Sequence, residues 1–214
     1  PNVVSELFLE GSVQTRADDL YQRFEINRET GRLATAFTPP ELVEERVFLV
    51  VPPEAQEWSR LADLPVPPQE YDTIQPAPID PAAKISSPAQ FSYVRGKVPV
   101  FGTAAGSSFF SYSLQIGHGI NPSAWQTLVE AATTSIEDGL LGEFDTTGLD
   151  GVYIIRLQVV QENQRVKTSL LQVTVDNIPP KVTMPYPLPG QVFPGRMPAA
   201  ITLQAEVEDA VGLE

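Results

Sequence analysis

Two long segments rich in β-branched and aromatic residues constrain the fold of this chain most. They cover residues 151–160 and 166–175, and a polar turn at residues 162–164 separates them. In the second segment, apolar residues at positions 171, 173 and 175 alternate with polar ones, so that one face is apolar. The pattern predicts an antiparallel β-hairpin that is half buried against a core.

The residues before this hairpin continue the same pattern. Apolar and polar or small residues alternate over residues 97–102 and 109–116, and no segment of useful length between residues 81 and 180 has helical periodicity. Roughly seven short strands in about 100 residues are typical of a sandwich. The sequence therefore predicts a mainly β protein with an immunoglobulin-like or fibronectin type III-like β-sandwich over residues 83–178.

Proline marks the boundaries of this sandwich. The chain has 21 prolines, and the stretch from residue 65 to residue 82 is dense in them. Fixed φ angles favour an extended, semi-rigid linker there. A second break lies at Asn177-Ile178-Pro179-Pro180. We therefore predict a small α+β segment over residues 1–64, the linker over residues 65–82, the sandwich, and the start of a second sandwich over residues 179–214.

The first segment is predicted to be α+β. Residues 20–27 and 32–37 flank a turn that contains a glycine, which predicts a hairpin. Residues 45–51 form a third predicted strand. A short helix is expected from Pro52 to Leu61, with Trp58 as the side chain that docks it.

The last segment begins as the sandwich does. Residues 182–189 are typical of an edge strand, where prolines are tolerated, and residues 201–207 alternate as a half-buried strand does. Two strands cannot enclose a core. The segment either opens a second sandwich or packs on a neighbour.

Composition excludes several classes of function. The chain carries 27 acidic and 14 basic residues, a formal charge of −13, which opposes binding to nucleic acid or to an anionic membrane. It has no cysteine, so disulfides and thiolate metal sites are excluded. The longest apolar run, residues 47–51, is far too short to insert into a membrane. Because the chain opens at Pro1, we expect it to be a piece of a longer protein.

No arrangement of reactive side chains is predicted. None of the four lysines has a serine three residues before it, which a penicillin-recognising serine enzyme requires. The single histidine, His118, lies in a glycine turn, and residues 145–150 favour a turn over a calcium loop. We predict no enzymatic activity for this chain, no catalytic residue, no metal ligand and no cofactor.

Trp125 is the one candidate for ligand contact. It follows Asn121-Pro122-Ser123, outside the predicted strands. Two interpretations stay open: the indole fills the sandwich core, or it stacks on a sugar as a glycan contact.

Three stretches carry a resemblance to a known family. Residues 6–15, Glu-Leu-Phe-Leu-Glu-Gly-Ser-Val-Gln-Thr, and residues 29–35, Glu-Thr-Gly-Arg-Leu-Ala-Thr, resemble the region just after the transpeptidase domain of class A penicillin-binding proteins. The third stretch is similar to an extracellular immunoglobulin-like module appended to such enzymes and to other secreted bacterial proteins. Its matching residues are Trp125, Gly139, Leu141, Phe144, Asp145, Thr146, Leu149, Gly151, Tyr153, Arg156, Leu157, Val175, Asp176 and Asn177.

The resemblance implies a bifunctional parent that polymerises and crosslinks peptidoglycan, with a membrane anchor outside this chain. The catalytic motifs of the family have no counterpart here. The resemblance therefore implies that this chain is a non-catalytic accessory region located outside the cytoplasm. It would act as a spacer, docking or cell-wall-binding module, with peptidoglycan or cell-envelope proteins as partners. The alternative is a carbohydrate-binding or adhesion module of another secreted bacterial protein.

Overall fold

The computed structural model describes residues 20–62, 64–74, 80–191 and 203–209, which belong to two compact units that divide between residues 75 and 76. The predicted mainly β class is confirmed, because one six-residue helix, α1 (Gln56–Leu61), is the sole α-helix of this part. No helix in these ranges has the length and hydropathy needed to cross a bilayer. Residues 6–15, which carry part of the resemblance, lie outside the described residues. The predicted domain and linker boundaries stay predictions.

The first unit contains a two-stranded antiparallel sheet. Strand β1 (Tyr21–Asn27) pairs with β2 (Val43–Leu49) along its whole length. The predicted hairpin of residues 20–27 and 32–37 is confirmed only next to its turn, where Ile26 bridges Leu33 and the Ala34 amide donates to the Glu25 carbonyl at 2.8 Å. The remaining residues of the second predicted strand do not pair with β1. A turn closed by the Thr38 amide on the Thr35 carbonyl, at 3.0 Å, redirects the chain before a longer ladder can form.

The short helix occurs where it was predicted, but Trp58 does not dock it. A 3₁₀ turn at Pro53–Ala55 leads directly into α1. Trp58 is 59% exposed, whereas Ser59 is 2% exposed and donates a hydrogen bond to the Gln56 carbonyl. The face of the helix that is buried therefore carries the small polar residue, and the predicted docking role of Trp58 is wrong.

Eight strands of the second unit form a sandwich. They are β3 (Ala83–Ser87), β4 (Tyr93–Val94), β5 (Lys97–Ala104), β6 (Phe109–His118), β7 (Gln126–Ala132), β8 (Ile136–Asp145), β9 (Gly151–Gln161) and β10 (Val166–Val175). One sheet has the order β3-β5-β8 and the other β4-β10-β9-β6-β7. Only the β4–β10 pair is parallel among these strands. The predicted hairpin of residues 151–160 and 166–175 is confirmed as β9 and β10.

The sandwich core lies between these two sheets. In β9 the alternate residues Tyr153, Ile155, Leu157 and Val159 face it, and they are all buried. Phe144 from β8 is fully buried against Tyr153, with 5.6 Å between the ring centroids. The hydroxyl of the buried Tyr112 donates to the Leu141 carbonyl of the opposite sheet at 2.9 Å, so its polar atom is satisfied.

Residues of the resemblance motif meet at one end of the sandwich. The Thr146 hydroxyl donates to the Gly96 carbonyl at 2.9 Å. The Asn177 amide donates to the carbonyls of Thr146 and Leu149 at 2.6 and 2.8 Å. Threonine and asparagine at these positions thus close the turn after β8 by hydrogen bonding, which gives the spacing of the motif a structural reason.

A further hairpin follows the sandwich. Strand β11 (Lys181–Tyr186) pairs antiparallel with β12 (Gln204–Glu208). The two strands confirm the predicted strand positions, but the expectation that the second is half buried is wrong. Val182 and Val207 are cross-strand partners and are 62% and 40% exposed. A two-stranded sheet has no second layer to cover its apolar side.

Candidate functional site

The candidate site lies on the outer face of the five-stranded sheet. It depends on Gly117, which has no side chain and so allows a loop to approach the strand closely. A Cβ atom at Gly117 in β6 would lie 2.4 Å from Cβ of Pro122. Only glycine therefore lets the loop before β7 fold back across the sheet at this point. The amide of Gly119 donates to the Val152 carbonyl at 2.8 Å and fixes the start of this loop.

The loop delivers Trp125 to the outer face rather than to the core. Gln126 is paired with Ile116, whose side chain is buried in the core. Trp125 is half buried and is absent from the core cluster of buried residues. The interpretation of Trp125 as the core plug is wrong, and the fully buried Phe144 fills the interior instead.

Arg156 of β9 lies against this indole. Its guanidinium carbon is 3.7 Å from the centroid of the Trp125 ring, within the range of a cation–π contact. The strand pattern explains its position, because Ile155 and Leu157 on either side face the core and Arg156 faces outward.

Gln115 of β6 fixes the orientation of the guanidinium. It is the cross-strand partner of Arg156, and its Oε1 accepts hydrogen bonds from Nε at 3.0 Å and from Nη2 at 2.7 Å. Its amide nitrogen is directed to the Thr127 hydroxyl at 3.4 Å. The tryptophan face and this amide therefore hold the arginine in one position.

Burial shifts the pKa of Arg156 but leaves its charge in place. Desolvation lowers the pKa of its guanidinium from the ordinary value. An arginine still remains protonated at neutral pH. Among the described residues no carboxylate forms an ion pair with it, so the site presents an uncompensated positive charge in a chain of formal charge −13.

The first unit has two further features of interest. One is an open apolar groove of about 700 Å³ that includes Phe24, Leu49 and Leu64 in its lining. The other is the carboxylate of Asp72, buried among hydrogen-bond donors. Asp72 accepts from the Asn27 amide at 2.6 Å and from the Thr38 hydroxyl at 3.3 Å.

These hydrogen bonds lower the pKa of the Asp72 carboxyl. The hydrogen bond from Asn27 holds the pKa of the Asp72 carboxyl below its usual range, and the Thr73 amide and threonine hydroxyls act in the same direction, while burial opposes them. The carboxylate is saturated by groups of its own chain, which makes it a structural feature.

The comparisons with known proteins support a limited relationship. No protein-family model matches the chain. It is 49% identical over 47 residues to penicillin-binding protein 1A of two Clostridium botulinum strains, Langeland and Hall. The match covers 22% of this chain, and the chain spans only 6% of the length of those relatives. A possible relationship to penicillin-binding proteins follows.

Similarity to solved structures is low. An engineered protein covers 53% of this chain with 22% of its own length, at 15% identity and a TM-score of 0.32. CopC from Methylosinus trichosporium OB3b covers 44% of this chain with 93% of its own length, at 16% identity and a TM-score of 0.28.

The other residues singled out from the sequence are not part of this site. The rings of His118 and Tyr153 pack edge to face, with 5.1 Å between their centroids. Asp145 accepts from the Thr147 amide and hydroxyl at 3.0 and 2.7 Å within the predicted turn. No group of three potential metal-binding side chains occurs among residues 20–62, 64–74, 80–191 and 203–209.

Sequence reasoning missed Arg156 and Gln115 as members of the site. In the sequence, Arg156 stands out only as part of the resemblance motif. A usable signal was present, because Arg156 is the single charged residue of β9, a strand rich in apolar residues. The partner Gln115 needs the β6–β9 register, which the sequence does not specify.

Proposed function

We propose that this chain is a non-catalytic accessory region of a peptidoglycan-synthesising penicillin-binding protein. It acts outside the cytoplasmic membrane as a spacer and wall-binding module, in a parent anchored by a membrane segment. The observation that carries the proposal is the 49% identity to penicillin-binding protein 1A over 47 residues, a similarity high enough to support common ancestry of that stretch.

The sandwich supports the mechanical part of the proposal. Its two sheets enclose one continuous apolar core, and such cores are packed as densely as organic crystals and resist deformation. A stiff sandwich next to a proline-rich segment can hold wall or partner proteins at a set distance from a catalytic domain.

The outer sheet face supports the binding part of the proposal. Trp125 is half buried there rather than hidden in the core, so part of its indole remains available to a glycan. Glycan strands of the wall are the ligand that the proposed parent would meet.

We further propose that residues 179–214 belong to a second sandwich, after the linker and the first sandwich over residues 65–178. The exposed pair Val182 and Val207 supports this, because the apolar face of a two-stranded sheet is stable only when a further layer covers it.

Two assays with the 214-residue chain test the proposed function. We expect purified peptidoglycan sacculi to retain the protein and Trp125→Ala to weaken that retention, while circular dichroism shows that the variant is folded. Exposed Trp58→Ala is the matched control and should leave retention unchanged.

Three results would refute the proposal. One is labelling by fluorescent penicillin that scales with the amount of protein, since a non-catalytic region forms no acyl-enzyme. Another is the absence of retention on sacculi. The third is selective retention on polysaccharides that do not occur in the wall, which would favour an adhesion module of another secreted protein.

A further inference from the structure

The unpaired charge of Arg156 is the observation that leads beyond the proposed function. Two lysines of the same unit lie beside carboxylates: Lys167 is 2.9 Å from Asp80, and Lys97 is 3.7 Å from Glu143. Arg156 is half buried, as Lys167 is, yet its hydrogen-bond acceptor is the neutral Gln115. In a chain with 27 acidic residues, a shortage of carboxylates does not explain this choice.

The geometry of the guanidinium shows which donors are in use. Nε and Nη2 both donate to the single Oε1 atom of Gln115, so one edge of the group is occupied. A guanidinium has five N–H donors, and two parallel donors of the Nη1–Nη2 edge fit the two oxygens of a carboxylate. No hydrogen bond from this second edge occurs within the described part of the chain.

The same contacts prepare the group for a ligand. Trp125 covers the flat face of the guanidinium at 3.7 Å, and Gln115 is itself directed to Thr127. The side chain therefore loses little further conformational freedom when an anion binds, and partial burial reduces competition from water.

We propose that the Nη1–Nη2 edge of Arg156 binds a carboxylate carried by the wall polymer, with Trp125 and Gln115 as positioning residues. The inference rests on the proposed function, because it names the chemical group recognised at the same surface. Two sources share this chemistry: the lactyl carboxylate of a glycan strand that has lost its stem peptides, and a free carboxylate of a stem peptide.

A pair of sugars isolates the contribution of the carboxylate. N-acetylmuramic acid and N-acetylglucosamine have the same ring, and only the former carries a lactyl carboxylate. In the ¹⁵N-labelled 214-residue chain, we expect the former to shift the Arg156 Nε–H and Trp125 Nε1–H resonances, and the latter to leave both in place. Equal responses to the two sugars would overturn the proposal.

Sacculi test both sources of the carboxylate. We compare intact sacculi, sacculi stripped of stem peptides by an amidase, and sacculi whose carboxylates are blocked with methylamine. Loss of a charge-assisted bidentate contact should weaken retention by about 10-fold to 100-fold, both for Arg156→Gln and on blocked sacculi. Tighter binding to stripped sacculi assigns the lactyl carboxylate, and tighter binding to intact sacculi assigns the stem peptide.

Arg165→Gln is the matched control. Arg165 is exposed at the turn of the same β9–β10 hairpin, so its substitution changes the net charge equally and should leave retention unchanged. Trp125→Phe, which keeps an aromatic face, should retain more binding than Trp125→Ala. The Arg156 Nε–H resonance should move towards its unfolded position only in the alanine variant.

The outcomes separate this inference from the proposed function. Retention on sacculi that is equal for the wild-type chain and Arg156→Gln overturns the carboxylate site alone. A response specific to N-acetylmuramic acid without retention on sacculi overturns the wall-binding function alone. If the protein neither responds to N-acetylmuramic acid nor is retained on sacculi, the carboxylate site and the wall-binding function are both overturned.

Discussion

The two units of this protein have interiors of different chemistry. The sandwich encloses an apolar core in which Phe144, Leu114 and Val173 are fully buried. Among its described residues, the first unit buries Ile26, Ala34 and Leu49 together with a larger set of polar residues: Asn27, Thr35, Thr38, Ser59 and Asp72. Apolar burial is non-directional, whereas buried polar groups stabilise a fold only when each finds its partner. The two units should therefore respond differently to mutation and to pH.

The largest expected loss of stability follows from the substitution of Phe144. Phe144→Ala removes a fully buried ring and leaves a cavity, so the free energy of unfolding of the sandwich should fall by about 3–5 kcal/mol. Urea denaturation followed by Trp125 fluorescence, in a Trp58→Phe background, measures it. Phe110→Ala is the control, because Phe110 is 60% exposed. A loss no larger than that of the control would contradict an apolar core centred on Phe144.

The next effect concerns the buried carboxylate of the first unit. Asp72→Asn replaces an acceptor by a donor against Asn27 and leaves buried groups unsatisfied, which should cost about 1–3 kcal/mol. Hydrogen exchange of peptides from residues 20–49, read by mass spectrometry, measures the loss. Glu54→Gln, an exposed change in the same unit, is the control.

The pH dependence of this unit follows from the lowered pKa of Asp72. A carboxyl whose folded pKa is depressed stabilises the fold fully above its unfolded pKa of about 3.9, and this stability is lost as pH falls through the folded pKa. The protection of residues 20–49 against hydrogen exchange should therefore decline below about pH 4 in the wild-type chain. In Asp72→Asn this protection should depend less on pH. Equal pH profiles would contradict this role of Asp72.

The smallest effect is expected at a polar contact of the sandwich. Lys167 and Asp80 are each about one-third exposed, at 32% and 33%, and their contact holds the pKa of Asp80 below its usual range. Lys167→Met should lower the free energy of unfolding by about 0.5–1 kcal/mol, and less at high salt. The control is Arg23→Met, whose pair with Glu45 is more exposed. A loss comparable to that of Phe144→Ala would show that the sandwich also depends on polar contacts.

Sequence patterns predicted the sandwich better than the first unit. In the sandwich, alternation over residues 151–175 reflects burial of one face of each strand, and burial is what the pattern records. In the first unit, the predicted hairpin of β1 with residues 32–37 is limited to a bridge at Leu33, and β1 pairs along its length with β2, because the Thr35–Thr38 turn redirects the chain. That turn depends on hydrogen bonds of buried polar side chains, which leave no apolar periodicity in the sequence.

The candidate site was predicted in part, through Trp125 alone. The other members, Arg156 and Gln115, are 41 residues apart in the chain and meet only through the pairing of β6 with β9. The position of Trp125 on the outer face requires the close approach of Pro122 to Gly117, a contact between a loop and a strand.

The amino-acid sequence by itself determined that this chain is mainly β, because the spacing of apolar residues fixes which face of each strand is buried. The tertiary structure alone decided that an arginine, a tryptophan and a glutamine form one charged surface, since strand order and register bring together residues that no local pattern relates. Local periodicity encodes burial, whereas the chemistry of a site depends on distances between segments remote in the chain.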